Sequence, residues 1–345
     1  MNFSSKKIGF IIYDMTFLRY FVPLAQQFKN LGIQSTFLIR SKPSGKYNCP
    51  LNKENSGDLE KIAKENRIEI GSVRNIPNFK GIIFLIEGAG KEHLHNNPTF
   101  SLTYCADYRN GGYEKYVDQI DHIIFPSLHY AKSMNTVSKK NLYLGCPKYD
   151  VSLDLNNIIE KYKIPSDIDR NCLIIVPKLR DLHKANLGKL IFDLRSLGYN
   201  VIAKSRGKDS YRGILNLDHY FEDTSWHPHT TMELIKASSF VINFDSSTIE
   251  ECIMLSKPIL NFTVKTGGKG CRVNSPFVPM FYEYDFCKNL SPSYKIKELQ
   301  REIEYLVTNN FDSEFLKCRE EYIYTFKNSS ESIVSWIKNN TNYLI

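Results

Sequence analysis

Two rhythms of apolar residues alternate along this chain. Short continuous apolar runs recur, and most are followed by a stretch whose apolar positions fall three or four apart. The first pattern is that of a strand buried on both faces, the second that of a helix laid over it. Residues 7–13 read as the first strand, and Phe17, Phe21, Leu24, Ala25, Phe28 and Leu31 then keep helical spacing until Gly32 stops them. Pro23 inside that pattern predicts a kink or a late helix start. Strands are predicted at 35–39, 68–72, 81–86, 100–105, 122–125 and 141–144, with a polar loop at 41–57 and a short helix at 58–66. Such βα alternation predicts a parallel sheet covered on both faces.

The rhythm breaks at Gly145-Cys146-Pro147-Lys148-Tyr149-Asp150, and residues 151–170 are polar. A second series starts at 172–177, with a helix at 184–197, strands at 200–204 and 219–222, and a helix at 230–237. Thr230 and Glu233 have the spacing of a capping box for that last helix. The apolar run Phe240-Val241-Ile242-Asn243-Phe244 then stops at Asp245-Ser246-Ser247-Thr248. A helical stretch carrying Glu250 and Glu251 follows, and the next apolar run comes after Lys257-Pro258. Residues 296–340 read as two or three closing helices rich in Tyr and Phe. The expected architecture is α/β: two Rossmann-like, doubly wound parallel-sheet domains facing a central cleft. Its expected divisions are 1–150, 151–325 and a C-terminal helix, 326–345, packing back towards the first domain.

Composition narrows the function classes. At 345 residues the chain exceeds what one core usually organises. No apolar stretch reaches the roughly 20 residues of a membrane span. The N-terminus lacks a small-residue cleavage site, which favours a first strand over a signal peptide. Eight cysteines are scattered without a CxxC pair, the pattern of reduced structural thiols in a cytoplasmic protein with no zinc site. The net charge of +8 points to an anionic partner such as a nucleotide, a phospholipid surface or an acidic glycan. No nucleic-acid-binding module is recognisable, so nucleic acid is not an expected partner.

Candidate chemistry gathers at strand ends. The turn after Phe244 offers backbone N–H groups, small hydroxyls and a helix start, a combination that favours phosphate. Its bland alternative is a helix cap at Asp245 or Ser246, with the glutamates on a solvated face. Lys178 and Arg180, and Lys204 and Arg206, follow two strands of the second series, where they suit phosphate or simply belong to the basic surface. Trp226-His227-Pro228-His229 lies on the same side. Two histidines without a third ligand do not make a metal site, and His227 is read as a contact to base or phosphate. His93 and His95 repeat that spacing near Glu87 and read as loop residues. Gly267-Gly268-Lys269-Gly270 lacks the spacing of a Walker A loop.

Two segments carry a family resemblance. Leu144 to Asp150 is similar to a Gly-Asn-Pro-Lys-x-Asp run, and Ser238 to Pro258 is similar to a strand, Ser-Ser turn, acidic residue and Lys-Pro signature. Both belong to GT-B enzymes near the non-hydrolysing UDP-GlcNAc 2-epimerases, CDP-glycerol glycerophosphotransferases and related surface-polysaccharide glycosyltransferases. The resemblance implies that Ser246, Ser247 and Thr248 hold a donor phosphate or diphosphate and that Glu251 accepts ribose hydroxyls. It departs from the epimerases, whose His-Val-Glu-Ala-Gly-Leu-Arg run is replaced here by Leu102-Thr103-Tyr104-Cys105-Ala106-Asp107-Tyr108-Arg109. The His-Gly pair of the glycerophosphotransferases is missing too.

The expectation is therefore an enzyme, a nucleotide-sugar-dependent glycosyltransferase of surface polysaccharide synthesis. It would take a glycan or lipid-linked acceptor and need no metal or further cofactor. Asp107 and Glu87, each in a loop after a first-domain strand, are the candidate bases, and the sequence does not separate them. A cytoplasmic protein in peripheral contact with an anionic membrane fits the charge and the aromatic closing helices. The alternatives are an altered epimerase or glycerophosphotransferase, and a non-catalytic nucleotide-sugar-binding protein.

Overall fold

Strand β1 (Lys7–Ile12) is the centre from which the first unit grows. The computed structural model describes residues 7–40, 49–94, 96–103, 116–133, 136–177, 181–205, 217, 219–223, 225–264, 281–323 and 328–340. The chain divides into two units, Met1–Val151 with Glu320–Ile345, and Ser152–Arg319. In the first, β1 is followed by α1 (Leu18–Asn30), β2 (Gln34–Ile39), α2 (Lys53–Asn66), β3 (Glu69–Ser72), β4 (Gly81–Ile86) and β5 (Thr99–Leu102). Then come β6 (His122–Phe125), α3 (Leu128–Ser133) and β7 (Asn141–Tyr143). The described strands form one parallel sheet in the order β3-β2-β1-β4-β5-β6-β7.

A row of rings runs across that sheet because parallel register puts matching residues side by side. Phe37, Phe10, Phe84, Phe100 and His122 occupy one rung over five neighbouring strands. Phe10 packs on Phe84 at 5.4 Å and on Phe21 of α1 at 5.0 Å, and Phe84 stacks on Phe100 at 5.3 Å. All four phenylalanines of the rung are fully buried, each worth roughly 2–3 kcal/mol of removed apolar surface. Helix α1 runs through Pro23 and does not start after it. Helix α2 begins at Lys53, five residues before the expected start. Gly57, Ser56 and Asn55 weaken its sequence signal, but Asn55 is buried and its Nδ2 donates to the Cys49 carbonyl at 2.9 Å, which ties the first turn down.

In the second unit α4 (Leu155–Tyr162) leads into β8 (Asn171–Ile175), α5 (Leu182–Ala185), α6 (Leu187–Ser196) and β9 (Asn200–Lys204). Next come β10 (His219–Phe221), α7 (Thr230–Lys236), β11 (Phe240–Asn243), α8 (Ile249–Met254), β12 (Ile259–Phe262) and β13 (Cys287–Leu290). Two further helices, α9 (Ile296–Thr308) and α10 (Asp312–Cys318), close this unit. Its described strands are parallel in the order β10-β9-β8-β11-β12-β13. Two local expectations are corrected. The helix expected at 184–197 is broken by Asn186 at φ 44°, a conformation asparagine tolerates. The capping box at Thr230 does not form, because Glu233 instead accepts from Lys161 and from the Tyr162 hydroxyl at 2.6 Å. Strand β13 carried no prediction, since Cys-Lys-Asn-Leu is too polar and too short to stand out.

The last described helix, α11 (Ser329–Asn340), belongs to the first unit and packs on α1. Asp150 caps it, accepting from the Ser329 amide at 3.0 Å and from the Ser330 amide and hydroxyl at 2.6 Å. The Cys146 amide donates in turn to the Ser329 hydroxyl at 2.9 Å. The Gly145–Asp150 stretch that carries half of the family resemblance thus acts here as a helix anchor. Burial pushes the Asp150 carboxyl up, and the serine bonds oppose it. Trp336 of α11 meets the ring row edge-on at His122, whose pKa burial lowers. Among the described residues no helix is long and apolar enough to cross a membrane.

Candidate functional site

Both sheets share one winding scheme. After β1 the chain steps outward to β2 and β3, then returns to the other side of β1 as β4. In the second unit β8, β9 and β10 step outward likewise and β11 returns beside β8. Connections leaving the β1/β4 and β8/β11 pairs diverge, so each unit has a crevice at the carboxyl end of its sheet.

At the β8/β11 point the chain leaves β11 through Phe244 into the turn 245–248. Asp245 is only 7% exposed and adopts φ 47°. A side-chain network holds it there. Asn261 of β12 donates through Nδ2 to Asp245 Oδ1 at 3.1 Å and accepts at Oδ1 from the Asp245 amide at 3.0 Å. The Val264 amide donates to Asp245 Oδ2 at 3.1 Å. Asn243 of β11 donates to Asn261 Oδ1 at 3.0 Å and to the Ser246 carbonyl at 3.2 Å, while Asn261 also donates to Asn289 of β13 at 3.0 Å. The acid is therefore neither a plain helix cap nor aimed outward.

Ser246, Ser247 and Thr248 are partly exposed at the crest of this turn. The amides of Ile249 and Glu250 bond back to the Ser246 and Ser247 carbonyls at 3.3 and 3.1 Å, and the Thr248 amide makes a long 3.4 Å bond to the Ser246 hydroxyl. The expected supply of open N–H groups is thus smaller than the sequence suggested, and α8 has only six residues to build a dipole. Glu250 and Glu251 are 5% and 6% exposed, so the solvated-face reading fails.

The other candidates fare differently. Lys204 ends β9, but its ammonium is buried in an ion pair with Asp223 at 2.7 Å, and His229 Nε2 meets the same oxygen at 3.1 Å. That lysine neutralises an internal carboxylate and does not point a charge outward, which corrects its reading as a phosphate contact. Burial pulls the His227 pKa down to about 4, so its ring is neutral at pH 7 and offers a hydrogen bond without charge. Asp107, Lys178, Arg180 and Arg206 lie outside the described residues, as do His95 and the glycine-rich 267–270 loop.

At the β1/β4 point Glu87 follows β4 directly, also at φ 47°, and its amide donates to the Leu102 carbonyl at 3.1 Å. Gly88 and Gly90 continue the turn at φ 72° and 91°. A β-carbon at Gly88 would lie 2.5 Å from the Tyr116 side chain, and one at Gly90 would lie 2.7 Å from Ile11 Cγ2. Gly90 lets the loop lie close on β1 and Gly88 lets it lie close on Tyr116, and the chain beyond them carries Glu92 and His93 to Tyr13. There the Tyr13 hydroxyl donates to Glu92 Oε1 at 2.7 Å, the Arg40 guanidinium covers the Tyr13 ring at 5.2 Å, and His93 Nε2 sits 3.6 Å from Glu92. Burial pushes the Glu92 carboxyl up, but its backbone bond, the Tyr13 hydroxyl and the His93 and Arg40 charges bring it below its ordinary value.

Sequence reasoning missed this cluster and the asparagine network alike. The second had a visible signal, since Ile242-Asn243-Phe244 is echoed by Leu260-Asn261-Phe262, each with an amide inside an apolar run. The first had none, because its residues are far apart in the chain.

Two units with this winding, closed by a C-terminal helix on the first, define the GT-B fold. Solved structures bear that out over nearly the whole chain. The UDP-GlcNAc 2-epimerase of Neisseria meningitidis bound to UDP-GlcNAc superposes with a TM-score of 0.65 at 13% identity, covering 97% of this chain and 100% of that one. The glycotransferase of kitacinnamycin gives 0.61 at 8% identity, with 97% and 98% covered. MurG of Acinetobacter baumannii gives 0.56 at 12% identity, with 97% and 99% covered. No protein-family model matches the chain, and no curated protein matches it by sequence.

Proposed function

We propose that this chain is a nucleotide-sugar-dependent glycosyltransferase whose donor phosphates lie on the turn 245–248. The observation that carries the reading is the coincidence of that turn with the β8/β11 switch point, the crevice where doubly wound sheets take ligands. Its crest offers three hydroxyls, and its one carboxylate, Asp245, is turned inward and satisfied by donors. A phosphate therefore meets hydroxyl and amide dipoles without a facing negative charge. Proteins of the same fold bind UDP-GlcNAc, as the Neisseria epimerase does.

Transfer needs a base to take the acceptor hydroxyl proton while the new bond to the sugar forms and the bond to the diphosphate breaks. Glu87 and Asp107 are the candidates in this reading. Lys178, Arg180 and Arg206, rather than the engaged Lys204, would offset the charge of the departing diphosphate, and Glu251 would accept from the ribose hydroxyls. In this reading the acceptor is a glycan or a lipid-linked acceptor of surface polysaccharide synthesis.

A thermal-shift screen against UDP, GDP, CMP, CDP and dTDP tests the binding half. Saturation at about 100 times the dissociation constant adds about 2.7 kcal/mol and a clear rise in melting. A flat response to all five removes the proposal. Turnover of the sugar nucleotide that binds, lost in Glu87→Gln or Asp107→Asn, tests the chemistry. Inversion of free UDP-GlcNAc without acceptor would instead mark an epimerase, and binding without turnover of any donor a non-catalytic binder.

A further inference from the structure

We propose that the side-chain amides of Asn243, Asn261 and Asn289 form a positioning ladder that sets the nucleotide affinity of the turn 245–248, with Asn261 as its central rung. The inference rests on the reading of that turn as the donor phosphate site.

The ladder exists because parallel strands in register place equivalent residues about 4.8 Å apart, the spacing at which one side-chain amide can bond the next. Asn243 pairs with Asn261, and Asn261 with Asn289, across β11, β12 and β13. Asn261 is fully buried. An asparagine side chain has two N–H donors and two acceptor lone pairs. Asn261 uses all four, donating to Asp245 Oδ1 and Asn289 Oδ1 and accepting from Asn243 Nδ2 and the Asp245 amide. The Asp245 carboxylate can only accept, so it dictates which end of the Asn261 amide faces it, and the polarity of the ladder is fixed outward from there.

The ladder performs two tasks at the turn. It clamps Asp245 at φ 47°, a conformation that a β-carbon disfavours. It also keeps the carboxylate facing β12 and so away from an incoming diphosphate. Asn243 extends the same hold to the Ser246 carbonyl. Asn261 touches no ligand in this scheme and acts through Asp245.

The test is Asn261→Asp, with UDP as the probe and calorimetry as the readout. A protonated Asp at 261 has one donor, which serves Asp245, and it still accepts from Asn243 and the Asp245 amide, so it keeps three of the four bonds and gives up only the one to Asn289. Once it ionises, two carboxylates about 3 Å apart repel and the turn opens. Relative to wild type at each pH, N261D should bind UDP within about threefold near pH 5 and at least about tenfold more weakly near pH 8, with its circular dichroism unchanged. A fold-only role would leave the affinity ratio flat in molecules that remain folded. A flat ratio between those pH values overturns the proposal.

Should N261D fail to fold, the exposed end of the ladder carries the test. Asn289→Asp keeps the acceptor for Asn261 and should bind UDP as wild type does, whereas Asn289→Leu should lose about threefold. Equal affinities for those two overturn it. If the wild type binds neither UDP nor GDP, CDP, CMP or dTDP, the donor-site reading fails and takes the ladder's role with it. Wild-type binding with an indifferent N261D removes the ladder alone.

Discussion

Glu87 and Asp245 stand at equivalent places in two copies of one winding scheme, and both adopt φ 47° after a buried strand. What holds them there differs. The Glu87 turn owes its shape to absent side chains: Gly88 and Gly90 let it press on Tyr116 and Ile11 at distances that no β-carbon fits. The Asp245 turn owes its shape to side chains that are present, an amide ladder bonded to one carboxylate oxygen through Asn261, with the Val264 main-chain amide on the other. The rungs below differ in the same sense, phenylalanine across the first sheet and asparagine across the second. Steric fit leaves the strand ends of the first unit open for a charged cluster. Hydrogen bonding in the second consumes its polar groups internally and leaves a nearly uncharged crest.

The most severe way to break this contrast is Gly88→Ala. Left-handed strain and overlap with buried Tyr116 together should cost about 4 kcal/mol in urea unfolding of the chain. A loss under about 1 kcal/mol would mean that the turn is not sterically set.

Acid titration probes the uncharged side of the comparison. His227 has its pKa pulled below the unfolded value, so between about pH 6.5 and about pH 4 the unfolded chain binds the extra proton. Stability present above that window should drain away as pH falls through it, by up to about 3 kcal/mol from this group. His227→Gln should flatten that part of the pH dependence. An unchanged slope would show the ring to be solvated.

The same replacement at the two matched positions sharpens the contrast further. Asp245→Gly keeps the backbone free to adopt φ 47° but strips two buried bonds from Asn261 and Val264, and should cost about 2 kcal/mol. Glu87→Gly relieves left-handed strain at the expense of chain entropy and should stay within about 0.5 kcal/mol of wild type. Equal effects at the two sites would erase the distinction. Smallest is Tyr13→Phe, which removes an exposed bond to Glu92 and should move stability by less than about 1 kcal/mol while raising the Glu92 pKa, a shift that carboxyl NMR resolves.

Much of the fold was legible because burial on both faces writes strands as uninterrupted apolar runs. Residues 81–86, 122–125 and 200–204 were bounded to the residue. Helix α2 and strand β13 were not, since each is held by contacts from outside its own sequence. The turn 245–248 was legible as a polar interruption between strand and helix. The fate of Lys204 was not, because Asp223, its partner, is 19 positions away and nothing in the local pattern pairs them. Glu250 and Glu251 look like a solvated pair by composition, and packing buried both.

The order of residues alone determined two βα series and the polar turn at 245–248, because these follow from periodicity and chain direction. Only the folded sheets decided which polar groups face inward. Register aligned three asparagines into a ladder and five ring residues into a row, and burial made it favourable to pair Asp245 with Asn261 and Lys204 with Asp223. Local sequence carries no record of a neighbour that arrives from another strand.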